Sequence, residues 1–111
     1  MANPQIENGY TKICNELLGA IYNKINKIEY LKIILFVIRI TYGFNRKLAK
    51  SNYKSFSTYT NIAKDRMEIL LSELYVRKII SLQQLNKDYF WVGLNKNYEE
   101  WHLEEYISLN K

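Results

Sequence analysis

Ser51–Lys78, SNYKSFSTYTNIAKDRMEILLSELYVRK, is the stretch whose reading decides the fold. At its centre, Phe56-Ser57-Thr58-Tyr59-Thr60-Asn61-Ile62 sets a bulky apolar residue before a small one, then polar residues, then Asn ahead of a β-branched apolar residue. Phe56 and Ile62 face one core if the backbone reverses between them. Ser57 leaves room for a second helix to cross, and Asn61 tolerates the left-handed conformation a tight turn demands. The spacing predicts a helix-turn-helix over about residues 51–78, its second helix opening near Ala63. Met67, Leu70, Leu71 and Leu74 then recur on one face, leaving Lys64, Asp65, Arg66, Glu68 and Ser72 on the other. A short helix held this way can lie in a DNA major groove. Any small helical hairpin shares that apolar spacing, so on this stretch alone a purely structural hairpin stays open.

Charge favours the DNA reading. Residues 1–45 carry a net +2, residues 46–78 a net +5 and residues 79–111 a net −2, within an overall +5. The basic excess therefore coincides with the proposed reading unit, where Lys and Arg would neutralise phosphates and release counterions. An isolated basic face is usually only solvated; its coincidence with a helical hairpin is what gives it weight.

Upstream, Ile13, Leu17, Leu18, Ile21, Tyr22 and Ile25 mark one side of a first helix of about four turns, capped at Thr11 or a polar neighbour. Cys14 is expected within it, buried as a small hydrophobe. Asn26 and Glu29 have capping-box spacing for a second helix. From Tyr30 to Ile40 that helix is apolar almost all round, the pattern of a central post, and Gly43 is expected to end it. Phe44-Asn45-Arg46-Lys47-Leu48-Ala49-Lys50 reads as a basic loop. Downstream, Ile79, Ile80 and Leu82, a turn at Gln83–Asp88, and Tyr89-Phe90-Trp91-Val92-Gly93-Leu94 read as a two-stranded wing over about 79–95. Lys87 sits at its tip with Asn86, and either residue is placed to touch the phosphate backbone or simply to be solvated. An amphipathic tail over 98–109 brings Trp101, Leu103, Tyr106, Ile107 and Leu109 to cover the domain or a second copy of it. Trp91 and Trp101 are expected to be largely buried.

The expected fold class is mainly α with a small β-hairpin, a winged helix-turn-helix forming a single domain over residues 1–111. A hydrophobic content of 48% with 24% charged residues excludes global disorder. A lone cysteine excludes an intramolecular disulfide and suits a reducing cytoplasm. MANPQIENG lacks the charged and apolar regions of a secretory signal, and the apolar run Leu31–Phe44 is too short and too charged to span a bilayer, so no membrane association is expected. The tail's four Glu and one His lack the second imidazole that would anchor a metal. No paired carboxylates, nucleophile with base, phosphate-cradling Gly loop or metal set stands out, so neither an enzyme nor a cofactor is expected.

Three strings carry a family resemblance. PQIENGYTKICNELL from Pro4, IRITYGFN from Ile38 and LNKNYEEW from Leu94 resemble the N-terminal domain of the phage replication protein O family, the replisome organisers. The resemblance implies a winged helix-turn-helix that binds repeated double-stranded sites in a phage origin and prepares the DNA for helicase loading. It departs from the family pattern at the turn, where Asn61 stands for the usual Gly, and at the helix opening, where Ala63 stands for a Ser or Thr cap. Members usually continue into a second region that contacts the helicase or its loader, whereas this sequence stops soon after the wing.

The expected DNA-binding set is Arg46, Lys47, Lys50, Lys54, Lys64, Asp65, Arg66, Glu68 and Lys87. Arg66 is expected to read a guanine, with pairing to Glu73 or Glu68 as the alternative, and Lys64, Lys54 and Arg46 to hold phosphates. Asp65 suits the helix N-terminus, and both it and Glu68 would repel phosphates unless they accept from cytosine amino groups. The expected partners are double-stranded DNA, a second copy through the tail, and host or phage replication proteins. Two other functions share the fold: a small phage transcriptional regulator, and a protein-binding inhibitor of a host replication or defence complex, which the acidic, aromatic tail motivates.

Overall fold

A helix that is apolar on several sides has to be covered on several sides, and the run beginning after Asn26 becomes the post on which the other elements pack. The computed structural model describes residues 1–103. In chain order they form α1 (Asn15–Lys24), α2 (Ile28–Thr41), β1 (Ala49–Ser51), α3 (Tyr53–Thr60), α4 (Lys64–Val76), β2 (Ile80–Gln84) and β3 (Phe90–Leu94), with single 3-10 turns at Ile6–Asn8, Tyr42–Phe44 and Tyr98–Glu100. Four helices and a small antiparallel sheet thus make a mixed α/β fold. Tyr30, Ile33, Ile34, Val37 and Ile38 of α2 are buried against α1, α3, α4 and the sheet. Phe36 meets Phe56 of α3 edge to face at 4.8 Å, and Phe56 meets Phe90 of β3 at 5.8 Å, so the aromatic rings tie post, hairpin and sheet together. Among the described residues no helix is long and apolar enough to cross a membrane.

The sheet differs from the expected two-stranded wing. Its order is β1-β3-β2, the third strand coming from Ala49–Ser51 in the stretch read as loop. Ala49 pairs with Val92, Lys50 with Trp91 and Ser51 with Phe90. Ala49 and Ser51 are buried while Lys50 points out, an alternation too short to register as a period. Gly93 permits the approach of the preceding loop: a Cβ there would lie 2.7 Å from the Lys47 carbonyl oxygen. The same register leaves Trp91 only half-buried, opposite Lys50 and Gln83, whereas Trp101 is buried and its indole donates to the Asn95 carbonyl at 2.7 Å.

Helix ends also depart from their sequence signals. α1 begins at Asn15, so Cys14 is its cap residue and is exposed rather than buried in a longer helix. Leu18 and Tyr22 consequently face solvent, and Leu17, Ala20 and Ile21 carry the packing. Lys27, not Asn26, precedes α2, and no capping box forms because Glu29 is engaged elsewhere. α2 stops at Thr41, whose hydroxyl donates back to the Val37 carbonyl at 2.7 Å. The left-handed residue that turns the chain there is Asn45, with φ 56°, not Gly43. Gly43 lies beside the Arg39 side chain, where an added Cβ would come within 2.9 Å of the guanidinium and displace its flexible end. The expected amphipathic tail is, as far as Leu103, a 3-10 turn followed by extended chain. Its remainder, with Tyr106, Ile107 and Leu109 and the self-association expected through them, lies outside the described residues.

Candidate nucleic-acid interface

Lysines scattered along a sequence become a site only where turns gather them. The first turn is at Asn61, left-handed at φ 61° and ψ 38°, and beside it the Ser57 hydroxyl donates to the Ile62 carbonyl at 2.5 Å. α4 starts directly afterwards at Lys64, as the apolar spacing requires, with Met67, Leu70, Leu71 and Leu74 fully buried. Asn52 caps α3 by accepting from the Ser55 N–H at 2.7 Å, and at the other end the Lys32 ammonium donates to the Thr60 carbonyl at 3.2 Å. The second of these bonds ties the end of α3 to α2. The second turn is the β2–β3 hairpin tip. Asn86 accepts through Oδ1 from the Asp88 and Tyr89 N–H groups at 2.9 and 3.0 Å, which holds the turn, occupies Asn86 and leaves Lys87 exposed.

The two turns bring four of the expected residues together. Lys54 of α3, Lys64 and Glu68 of α4, and Lys87 of the hairpin tip line one cleft of about 490 Å³, joined by Asn52, Tyr53, Asp88 and Tyr89. Three ammonium groups give it attraction for phosphates, and the Glu68 and Asp88 carboxylates break that attraction into a pattern of donors and acceptors. Asp65 lies exposed in the first turn of α4, where negative charge suits the helix dipole, and accepts from the Arg66 N–H at 2.9 Å.

The other expected residues lie elsewhere. Arg66 does not pair with Glu68 or Glu73: its Nε and Nη2 donate to the two oxygens of Glu29 on α2, at 3.1 and 2.7 Å. This hydrogen-bonded fork holds the Glu29 carboxyl below its ordinary value of 4.5 and raises the guanidinium. Sequence reasoning missed Glu29 because its partner is 37 residues away and its spacing from Asn26 suggested a cap. Arg46 and Lys50 line a separate groove with Arg39, Phe44 and Tyr59. The Lys50 ammonium lies 5.2 Å from the centroid of the Tyr89 ring, so the two concavities share a rim. Lys47 is exposed on the loop that crosses Gly93. Arg39 was visible in the sequence only as the charge that interrupts an apolar run.

The sequence model of the family described as bacteriophage replication protein O matches residues 2–101. The DNA replication protein gp18 of Salmonella phage P22 is 30% identical over 97 residues, which are 87% of this chain and 34% of that protein. The chain thus spans about a third of the length of that relative. No solved structure matches it. With the family match running from the second residue through the buried Trp101, and so across all four helices and the sheet, the chain belongs to the bacteriophage replication protein O family.

Proposed function

We propose that this chain is a winged helix-turn-helix that binds double-stranded DNA sequence-specifically at a phage replication origin and so takes part in initiating phage DNA replication. The observation that carries the reading is the convergence of Lys54, Lys64, Glu68 and Lys87 from three elements on one cleft. α3 and α4 are then the two helices of the motif, and the β2–β3 hairpin is the wing. α4 presents its first turns to the major groove, with Lys64 on the phosphates and Glu68 as an acceptor for a cytosine amino group. Lys54 and Lys87 hold the backbone on either side. Arg66, expected from its position to read a base, acts instead as a positioning residue, because its fork is already closed on Glu29 and fixes the reading helix against α2. Family membership and the similarity to the DNA replication protein of phage P22 support the replication setting.

A titration by fluorescence anisotropy tests this, using labelled duplexes from the phage origin, from phage promoters and of scrambled sequence. Tighter binding to an origin duplex than to the other two is expected. Preference for a promoter would make the protein a transcriptional regulator, and absence of duplex binding at low salt would refute the reading.

A further inference from the structure

The groove beside the proposed duplex site has a different chemistry. Its lining includes Phe36, Arg39, Phe44, Arg46, Lys50 and Tyr59, and none of its lining residues is acidic. Three of these are cations, so the groove complements an anion. It is also walled by aromatic rings that the fold leaves open: Tyr59 is 73% and Phe44 57% exposed. The Tyr59 ring lies stacked on Phe36 at 5.4 Å and 18°, which fixes its plane while its outer side stays in solvent. Phe44 has the Arg39 and Arg46 guanidiniums 5.0 and 5.2 Å from its ring centroid. Arg46 is itself anchored, its Nε donating to the Ile40 carbonyl at 3.1 Å.

Duplex DNA offers base edges and phosphates but no base faces, which are covered by stacking. Pre-positioned rings among cations therefore fit a strand whose bases are free to stack, the combination used by single-strand binding grooves. We infer that this groove, formed by the end of α2, β1 and α3, is a second nucleic-acid site that takes single-stranded DNA, with bases on Tyr59 and Phe44 and phosphates on Arg39, Arg46 and Lys50. Its volume of about 490 Å³ equals that of the neighbouring cleft, and the Lys50–Tyr89 contact joins the two rims. A strand parted from a duplex held in the first cleft would thus find the groove adjacent. The site stands on its own residues, whether or not the first cleft holds duplex.

The experiment is an anisotropy titration of labelled oligo(dT) and of an abasic oligomer of the same length, on the wild-type chain and on Tyr59→Leu, Phe44→Leu and the double variant. Leucine keeps apolar area over Phe36 and removes the ring, and far-ultraviolet circular dichroism reports that each variant folds. Oligo(dT) binding well above abasic binding is expected, with each single variant weakening oligo(dT) at least about fivefold, the lower end for one stacked base. Lys64→Ala should leave oligo(dT) binding unchanged while weakening duplex, and Tyr59→Leu should do the reverse. The inference is overturned if oligo(dT) is not bound at low salt, if the abasic oligomer binds as well, or if the folded double variant binds oligo(dT) like the wild type. The duplex arm fails separately, so loss of duplex binding alone bears on the first cleft only.

Discussion

Salt and single lysine replacements together give a number that the cleft must satisfy. Lys54, Lys64 and Lys87 are the three cations lining it. If each neutralises one phosphate, the logarithm of duplex affinity should fall with the logarithm of salt at a slope of about −2.7, at about −0.9 per contact. Raising salt from about 50 to about 200 mM then weakens binding roughly 40-fold. Replacing any one of the three with Ala should bring the slope to about −1.8 and the loss over the same range to roughly 12-fold. Acting as phosphate contacts, they should each weaken origin and scrambled duplex alike when replaced. Anisotropy titrations at four or more salt concentrations measure this, with Lys96→Ala, exposed and outside the cleft, as the control. A slope unmoved by all three replacements, or moved equally by Lys96→Ala, would refute the convergence argument.

Other consequences are tested with the same material. Arg66→Ala should weaken origin and scrambled duplexes to a similar extent, since the side chain positions α4 through Glu29; a loss confined to the origin duplex would return Arg66 to base reading. The same fork sets an acid limb. Glu29 titrates below its ordinary 4.5, so its stabilisation is complete above that value and is lost as pH falls through the lowered one. The melting-temperature difference between wild type and Glu29→Gln should accordingly shrink below about pH 4.5, and a constant difference would exclude the linkage. Lys78 sits left-handed at φ 61°, so Lys78→Gly should stabilise the fold by roughly 0.5–1 kcal/mol, read as a rise in melting temperature. Iodide should quench Trp91 more readily than Trp101, because only Trp101 is buried; Phe substitutions assign the two signals.

What was legible in the sequence was what repeats or turns locally. Met67, Leu70, Leu71 and Leu74 announce their burial through helical spacing alone, and Asn61 announces a left-handed turn through its residue type. What was not legible depends on partners far along the chain. Three residues of β1 carry no period, and their strand character comes from pairing with β3. The end of α4 shows the same limit. Its closing residue is Lys78 rather than Gly or Asn, yet the Lys78 N–H donates to the Tyr75 carbonyl and the Ile79 N–H to the Leu74 carbonyl, both at 3.0 Å, a Schellman closure. Burial of Ile79 beside Leu74 supplies the apolar contact that this motif favours and offsets the left-handed conformation of a lysine.

The candidate site divides along the same line. Charge counting marks a basic region but cannot separate its members, because charge is additive along a sequence and sites are not. In the fold, Lys54, Lys64 and Lys87 converge although Lys87 comes from another element entirely, while Arg46 and Lys50, nearer in sequence to Lys54, turn into the neighbouring groove. β1 makes that partition. Its alternation buries Ala49 and Ser51 against β3 and leaves Lys50 outside, on the rim between the two concavities. Arg66 is separated by a different device: the two residues from Lys64 carry it about 200° round the helix, towards α2, where the Glu29 carboxylate accepts from two of its donors. A guanidinium free in sequence is thus committed in structure, and the side chains of α4 that line the cleft are those of Lys64 and Glu68.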